Sequence, residues 1–112
     1  MIVYYNNKEI NISVKKVDFL GKVTGLMFKS RDTDNLLFEN YRDSKMAIHS
    51  FFVFSPFLAI WLDEKDRAIE FRKVKPFTFS LKPEKKFRKM IEIPFNDRNR
   101  EIIGFFVGKR KI

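Results

Sequence analysis

MAIHSFFVFSPFLAIWLDE, residues 46–64, is the densest apolar stretch of the chain and holds its single histidine, His49, and its single tryptophan, Trp61. Ser55-Pro56 cuts the run into Phe51 to Phe54 and Phe57 to Leu62. Each piece is of strand length and too short to span a bilayer. Proline has no N–H to give a ladder and holds its predecessor extended, which puts a bend or a sheet edge at Pro56. The polar run Asp63 to Arg67 then precedes Ala68 to Val74, a pattern that predicts a β-hairpin. Strands this apolar are buried on both faces, so the rest of the chain has to supply the covering layers.

The 112 residues are enough for one domain with a real core, and leave no room for a second. The basic tail, 108–112, is expected to fray. With no cysteine there is neither a disulfide framework nor a thiolate metal site, and one histidine excludes the usual multi-histidine zinc sets. No cofactor or metal is expected. The N-terminus lacks the basic start, apolar core and small-residue cleavage site of a signal peptide, so a cytoplasmic location is expected. The charge of +9 is uneven: residues 1–64 hold eight Lys/Arg and eight Asp/Glu, and residues 65–112 hold fifteen and six. Such a basic half either attracts polyanions or keeps a chain with fourteen phenylalanines soluble.

Ile2 to Tyr5 and Ile10 to Val17, separated by Asn6-Asn7-Lys8, predict an N-terminal hairpin with Ile10, Ile12 and Val14 on its buried face. From Asp18 the apolar spacing becomes helical, and Gly25 marks the end of about two turns. Leu36 to Phe38 is a short strand. Phe77 and Phe79 are expected to pack beneath a surface loop over 82–86. Phe87, Ile91 and Ile93 share one strand parity, and Arg88, Met90 and Glu92 the other, which predicts a half-buried strand stopped by Pro94. Asn96 or Asp97 caps a short helix through Ile103, Gly104 ends it, and Phe105 to Val107 form a last strand. The expected fold is therefore mainly β: a compact β-sandwich or distorted barrel of about seven to nine strands, with one or two short helices.

The series Gly25-Leu26-Met27-Phe28-Lys29, Leu36-Leu37-Phe38, Ile48 to Phe52 with Pro56 and Trp61-Leu62-Asp63, Lys75-Pro76-Phe77 and Ile91-Glu92-Ile93-Pro94 resembles, in order and spacing, the small prokaryotic family catalogued as domain of unknown function 192. The resemblance covers roughly Ser13 to Val107. It implies a compact, mainly β domain and lends no established activity. The shared positions are Gly25 to Met27, His49 and Ser50, and Pro76 and Phe77. The chain departs from the family pattern at Val53, where a methionine is common, at Phe54, where a basic residue stands, and at Leu58, where an aspartate stands. A site built on that aspartate would be altered here.

Candidate chemistry is sparse. His49 beside Ser50 reads either as a ligand contact or general base, or as a structural histidine satisfied by backbone groups; neighbours on a regular strand point to opposite faces, so the two do not form a nucleophile–base pair. Gly25 and Met27 read as a pocket wall or as helix-end packing. Together Gly25, Met27, His49 and Ser50 are the candidate ligand pocket. Without a nucleophile elbow or a phosphate-binding glycine loop, an enzyme is not expected. Phe51, Phe52, Phe54 and Phe57 beside Trp61 form an apolar patch for a protein partner or a second copy, unless both sheet faces are covered. Arg72, Lys73, Lys75, Lys82, Lys85, Lys86, Arg88 and Lys89, interleaved with Phe77 and Phe79, are the candidate polyanion surface, suited to backbone-directed nucleic-acid binding. The function expected from the sequence is a small intracellular, non-enzymatic ligand- or protein-binding module, with non-specific nucleic-acid binding as the alternative.

Overall fold

Two consecutive asparagines in the left-handed region, Asn6 (φ 55°) and Asn7 (φ 62°), turn β1 (Ile2–Tyr5) back into β2 (Lys8–Asn11). Asparagine tolerates that region, and a turn of this hand matches the twist of the strands it joins. The computed structural model describes residues 1–17, 34–39, 48–50, 56–75, 78–81 and 84–108. The described strands continue with β3 (Lys15–Val17), β4 (Leu36–Glu39), β5 (Ile48–Ser50), β6 (Phe57–Leu62), β7 (Ala68–Val74), β8 (Thr78–Leu81) and β9 (Lys89–Pro94). A turn of 3₁₀ helix over Asp97–Asn99 leads into α1 (Arg100–Val107). The mainly β class expected from the sequence is what forms.

Five strands make the central sheet, in the order β3-β4-β9-β6-β7, while β1 with β2 and β5 with β8 form separate pairs. The sheet stays open and is not closed into a barrel. All its pairings are antiparallel except β3 with β4. Strand β6 lies between β7 and β9, and all six of its residues are buried. The predicted hairpin joins it to β7 through Asp63, whose Oδ1 accepts the Lys65 and Arg67 amides, each at 2.9 Å, while Asp66 takes φ 62°.

One face of the sheet carries Leu37, Leu58, Ile60, Ile91 and Ile93, which pack with Val3 and Ile12 from the hairpin segment and with Ile103 and Phe106 of α1. Tyr5 locks this layer through ring contacts with Phe71 at 5.5 Å and Phe106 at 5.4 Å. The Tyr4 amide, donating to the Asp66 carbonyl at 3.0 Å, ties β1 to the β6–β7 turn. The opposite face carries Leu36, Phe38, Phe57, Ala59, Trp61, Val74 and Met90, together with Phe87.

Three expectations need correction. The run Ile10 to Val17 is not one strand: it breaks after Asn11, and β3 leaves the hairpin to pair with β4. The Ser13 carbonyl accepts the Asn35 side-chain amide at 3.0 Å and the Lys15 amide donates to the Asn35 carbonyl at 2.8 Å, which draws the chain across to the larger sheet. Strand β9 is buried on both faces rather than one: Met90 and Glu92 are buried along with Ile91 and Ile93. Phe105 to Val107 are the last turn of α1 and not a strand; Gly104 lies inside the helix, and Gly108 (φ 89°) follows its end. Burying Ile103 and Phe106 on one helical face outweighs the glycine's weak helix preference. Asn96 caps as expected, its Oδ1 accepting the Asn99 amide at 3.0 Å. The helix predicted from Asp18, the strand Phe51 to Phe54, and Phe77 lie outside the described residues, as does the side chain of Phe79.

Candidate functional site

The register across the central sheet brings one polar group into a position that composition hides. Lys15, Leu36, Glu92, Ala59 and Arg72 stand side by side on β3, β4, β9, β6 and β7, and the next row holds Phe38, Met90, Trp61 and Glu70. Residues directly opposite one another share a face, so Glu92 projects into the layer that contains Leu36, Phe38 and Trp61. Its residue is 3 % exposed. The Oε2 atom is buried and accepts no hydrogen bond. Burial alone, with water's stabilisation of the charge removed, pushes the Glu92 carboxyl up to about 8. At neutral pH it is therefore a neutral acid, with an O–H to donate.

Trp61 stands diagonally from Glu92 on the same face, fully buried, and its Nε1–H donates to nothing. Arg72 reaches over the Trp61 ring, its guanidinium carbon 5.4 Å from the centroid, and donates to Glu70 Oε2. Glu70 Oε1 in turn accepts the Glu84 amide at 2.9 Å. The Arg72 side chain is 40 % exposed and that of Glu70 16 %. Glu70 and Arg72 thus form a polar pair at the β7 edge that reaches the Trp61 ring. Ala59, the smallest side chain of the row, separates Arg72 from Glu92.

Of the residues proposed as a pocket, Gly25 and Met27 lie outside the described residues, and His49 and Ser50 are described by backbone alone, on β5 opposite β8. Among the described basic candidates, Arg72, Lys73 and Lys89 are divided between the two faces of the sheet. Arg72 lies on the Trp61 face; Lys73 and Lys89, opposite Leu58 and Leu62, lie on the other. The Lys73 ammonium sits 5.1 Å from the Phe95 ring centroid and that of Lys89 pairs with Asp66 at 2.8 Å. Arg88 is half-buried, with an Nε that has no partner, while Lys75, Lys85 and Lys86 are exposed and Lys82 lies outside the described residues. Phe57 and Trp61, expected in an apolar surface patch if one sheet face were bare, are buried. Phe51, Phe52, Val53 and Phe54 lie outside the described residues. Leu58 faces the α1 layer, away from Glu92, so its apolar character leaves the Glu92 face untouched.

Sequence reasoning missed Glu92. The signal was present: an acid inside the run Met90 to Pro94, among residues that all prove buried. Reading β9 as half-buried assigned that acid to solvent. Elsewhere, a surface groove of about 1130 Å³ separates the Asn11 to Lys15 segment and Asn35 from Arg98 and Glu101 at the start of α1. Its lining mixes both signs of charge and brings no set of like groups together. Among the described residues no helix is long and apolar enough to cross a membrane, and no group of three or more His, Cys, Asp or Glu side chains is placed to hold a metal ion. No family model, no curated protein and no solved structure matches the chain.

Proposed function

We propose that this chain is a small, cytoplasmic, non-enzymatic binding module, a diverged relative of the family it resembles, and that its ligand contacts the Glu92–Trp61 face of the central sheet. The observation that carries the reading is the buried Glu92 carboxyl, whose Oε2 has no hydrogen-bond partner. Holding an acid neutral at about pH 7 when it would otherwise ionise near the ordinary glutamate value costs about 3 kcal/mol, a sizeable share of a small domain's stability. An apolar residue would avoid that cost. Strongly perturbed titratable groups gather at functional sites, and a buried indole N–H left without an acceptor on the same face adds a second group awaiting a partner. The non-enzymatic part rests on sequence: one histidine, no cysteine and no nucleophile motif.

Trp61, the only tryptophan, makes the test direct. The neutral fluorophore N-phenyl-1-naphthylamine is an acceptor for indole emission. Saturable binding of one equivalent with quenching of Trp61 is expected, and A59L, which enlarges the buried side chain standing between Arg72 and Glu92, should abolish it while circular dichroism stays unchanged. Unsaturable binding, or equal binding by A59L, contradicts the reading. The polyanion alternative keeps Lys75, Lys85 and Lys86 as exposed cations. It requires oligonucleotide binding that falls by orders of magnitude between about 50 mM and about 200 mM salt and weakens when Lys85 and Lys86 are neutralised.

A further inference from the structure

We infer that the groove between β2 and the start of α1 takes an extended segment of a partner protein, which adds to β2 as an antiparallel strand and carries a basic residue opposite Glu9. This place is separate from the Glu92–Trp61 layer, and the inference does not depend on the reading given for that layer. It follows from the ladder of the hairpin. Met1 and Ile12 exchange both backbone bonds, each at 2.8 Å, and in an antiparallel pair such bonded positions recur at every second residue. The register therefore makes Val3 with Ile10 and Tyr5 with Lys8 the other bonded pairs, and turns the N–H and C=O of Glu9 and Asn11 to the outer edge of β2. Among the described residues β2 pairs with β1 alone. Glu9 and Asn11 are exposed, and neither a proline nor a bulge guards the edge.

That edge is one wall of the groove of about 1130 Å³, and Asn99 and Ile102, at the start of α1, belong to the other. A strand edge facing a helix across a groove suits strand addition, in which backbone bonds give the affinity and alternate side chains the specificity. An extended backbone answers all four outward groups of Glu9 and Asn11 at once. Antiparallel pairing is the more stable choice per residue. The groove is apolar on its inner side, where Ile10, Val14 and Ile102 lie half-buried against the core. The incoming residue opposite Ile10 shares its face and meets these side chains, while those opposite Glu9 and Asn11 face water. A base opposite the exposed Glu9 completes a cross-strand ion pair.

Capped, fluorescein-labelled heptapeptides of the order serine, valine, threonine, isoleucine, X, valine, serine test this against the intact protein by fluorescence anisotropy; the isoleucine falls opposite Ile10 and X opposite Glu9. With lysine at X, binding should saturate at one equivalent and be about two- to fivefold tighter than with glutamate at X, and Glu9→Lys should reverse that order. N-methylation of the threonine or of X, whose N–H groups face β2, should weaken binding by about tenfold or more. N-methylation of the isoleucine, whose N–H faces away, should change it by less than about threefold. Glu9→Pro removes an outward N–H and leaves the bonds to β1 in place, so it should abolish binding with circular dichroism unchanged. Failure of every peptide to bind, equal loss from all three N-methylations, or a lysine preference that survives Glu9→Lys overturns the inference. Dimerisation of the wild type that Glu9→Pro abolishes would give the edge to a second copy and overturn it as well.

Discussion

Glu92 is the residue whose titration the fold changes most, and the sign of the effect is determinate. Unfolded, the carboxyl ionises near its ordinary value of 4.5; folded, it holds its proton to about 8. Between those values the native state binds the extra proton, so stability is fullest below the unfolded pKa and falls as pH rises through the folded one. The loss amounts to about 5 kcal/mol between about pH 4 and about pH 9, against a total of about 5–15 for a small domain. Urea denaturation of the wild type should show the midpoint falling steeply above about pH 5, while Glu92→Gln stays level over the same range and is the more stable protein at about pH 9. A wild-type midpoint that does not change between those limits would show that the acid is solvated. Asp63 works in the opposite sense. Burial would raise its carboxyl, but bonds from the Arg67 backbone and side chain and from the Lys65 amide together outweigh that and hold it below the usual range. Its contribution is therefore present near neutral pH and lost in acid.

At the scale of elements, β9 departs from the alternating pattern assigned to it, while β6 is buried on both faces as its unbroken apolar run predicts. β6 and β9 are buried on both sides: the hairpin and α1 cover one face, and on the other Phe57, Ala59, Trp61 and Met90 are buried too, with Phe87 packed among them. Met90→Ala should therefore cost as much as an inward position of a core strand, about 2–5 kcal/mol, measured by chemical denaturation; a half-buried β9 would lose much less. The N-terminal turn before α1 depends on the Asn96 side chain, and Asn96→Ala should cost about 1 kcal/mol. At the other end Gly108 adopts φ 89° with open space around it, so Gly108→Ala should destabilise through the backbone alone, by about 1 kcal/mol, and thermal denaturation reads the difference.

Across the whole molecule, local signals carried the strands and long-range packing decided their faces. The Asn6-Asn7 turn, the Asp63 to Arg67 turn and the run Phe57 to Leu62 were each legible because turn chemistry and apolar length act within a few residues. Gly104 misled, since a glycine's local cost is small beside the burial of Ile103 and Phe106, which only the tertiary layer supplies. The break after Asn11 was equally hidden, because it depends on Asn35, far along the chain. Glu92 was present in the sequence as a letter and absent as a site: its environment exists only once β4, β9 and β6 lie side by side. The charge asymmetry is legible as a count, but alternation sends Arg72 and Lys73 to opposite faces of β7, which the count alone does not tell.

The most direct measurement is a carbon-13 titration of the Glu92 side-chain carboxyl in the intact protein, with Glu92→Gln identifying the signal. The account predicts a midpoint at about 8. A midpoint in the ordinary glutamate range near 4.5 would contradict it, because a solvated or partnered Glu92 leaves the sheet face with no acid to donate and no unmet group to explain.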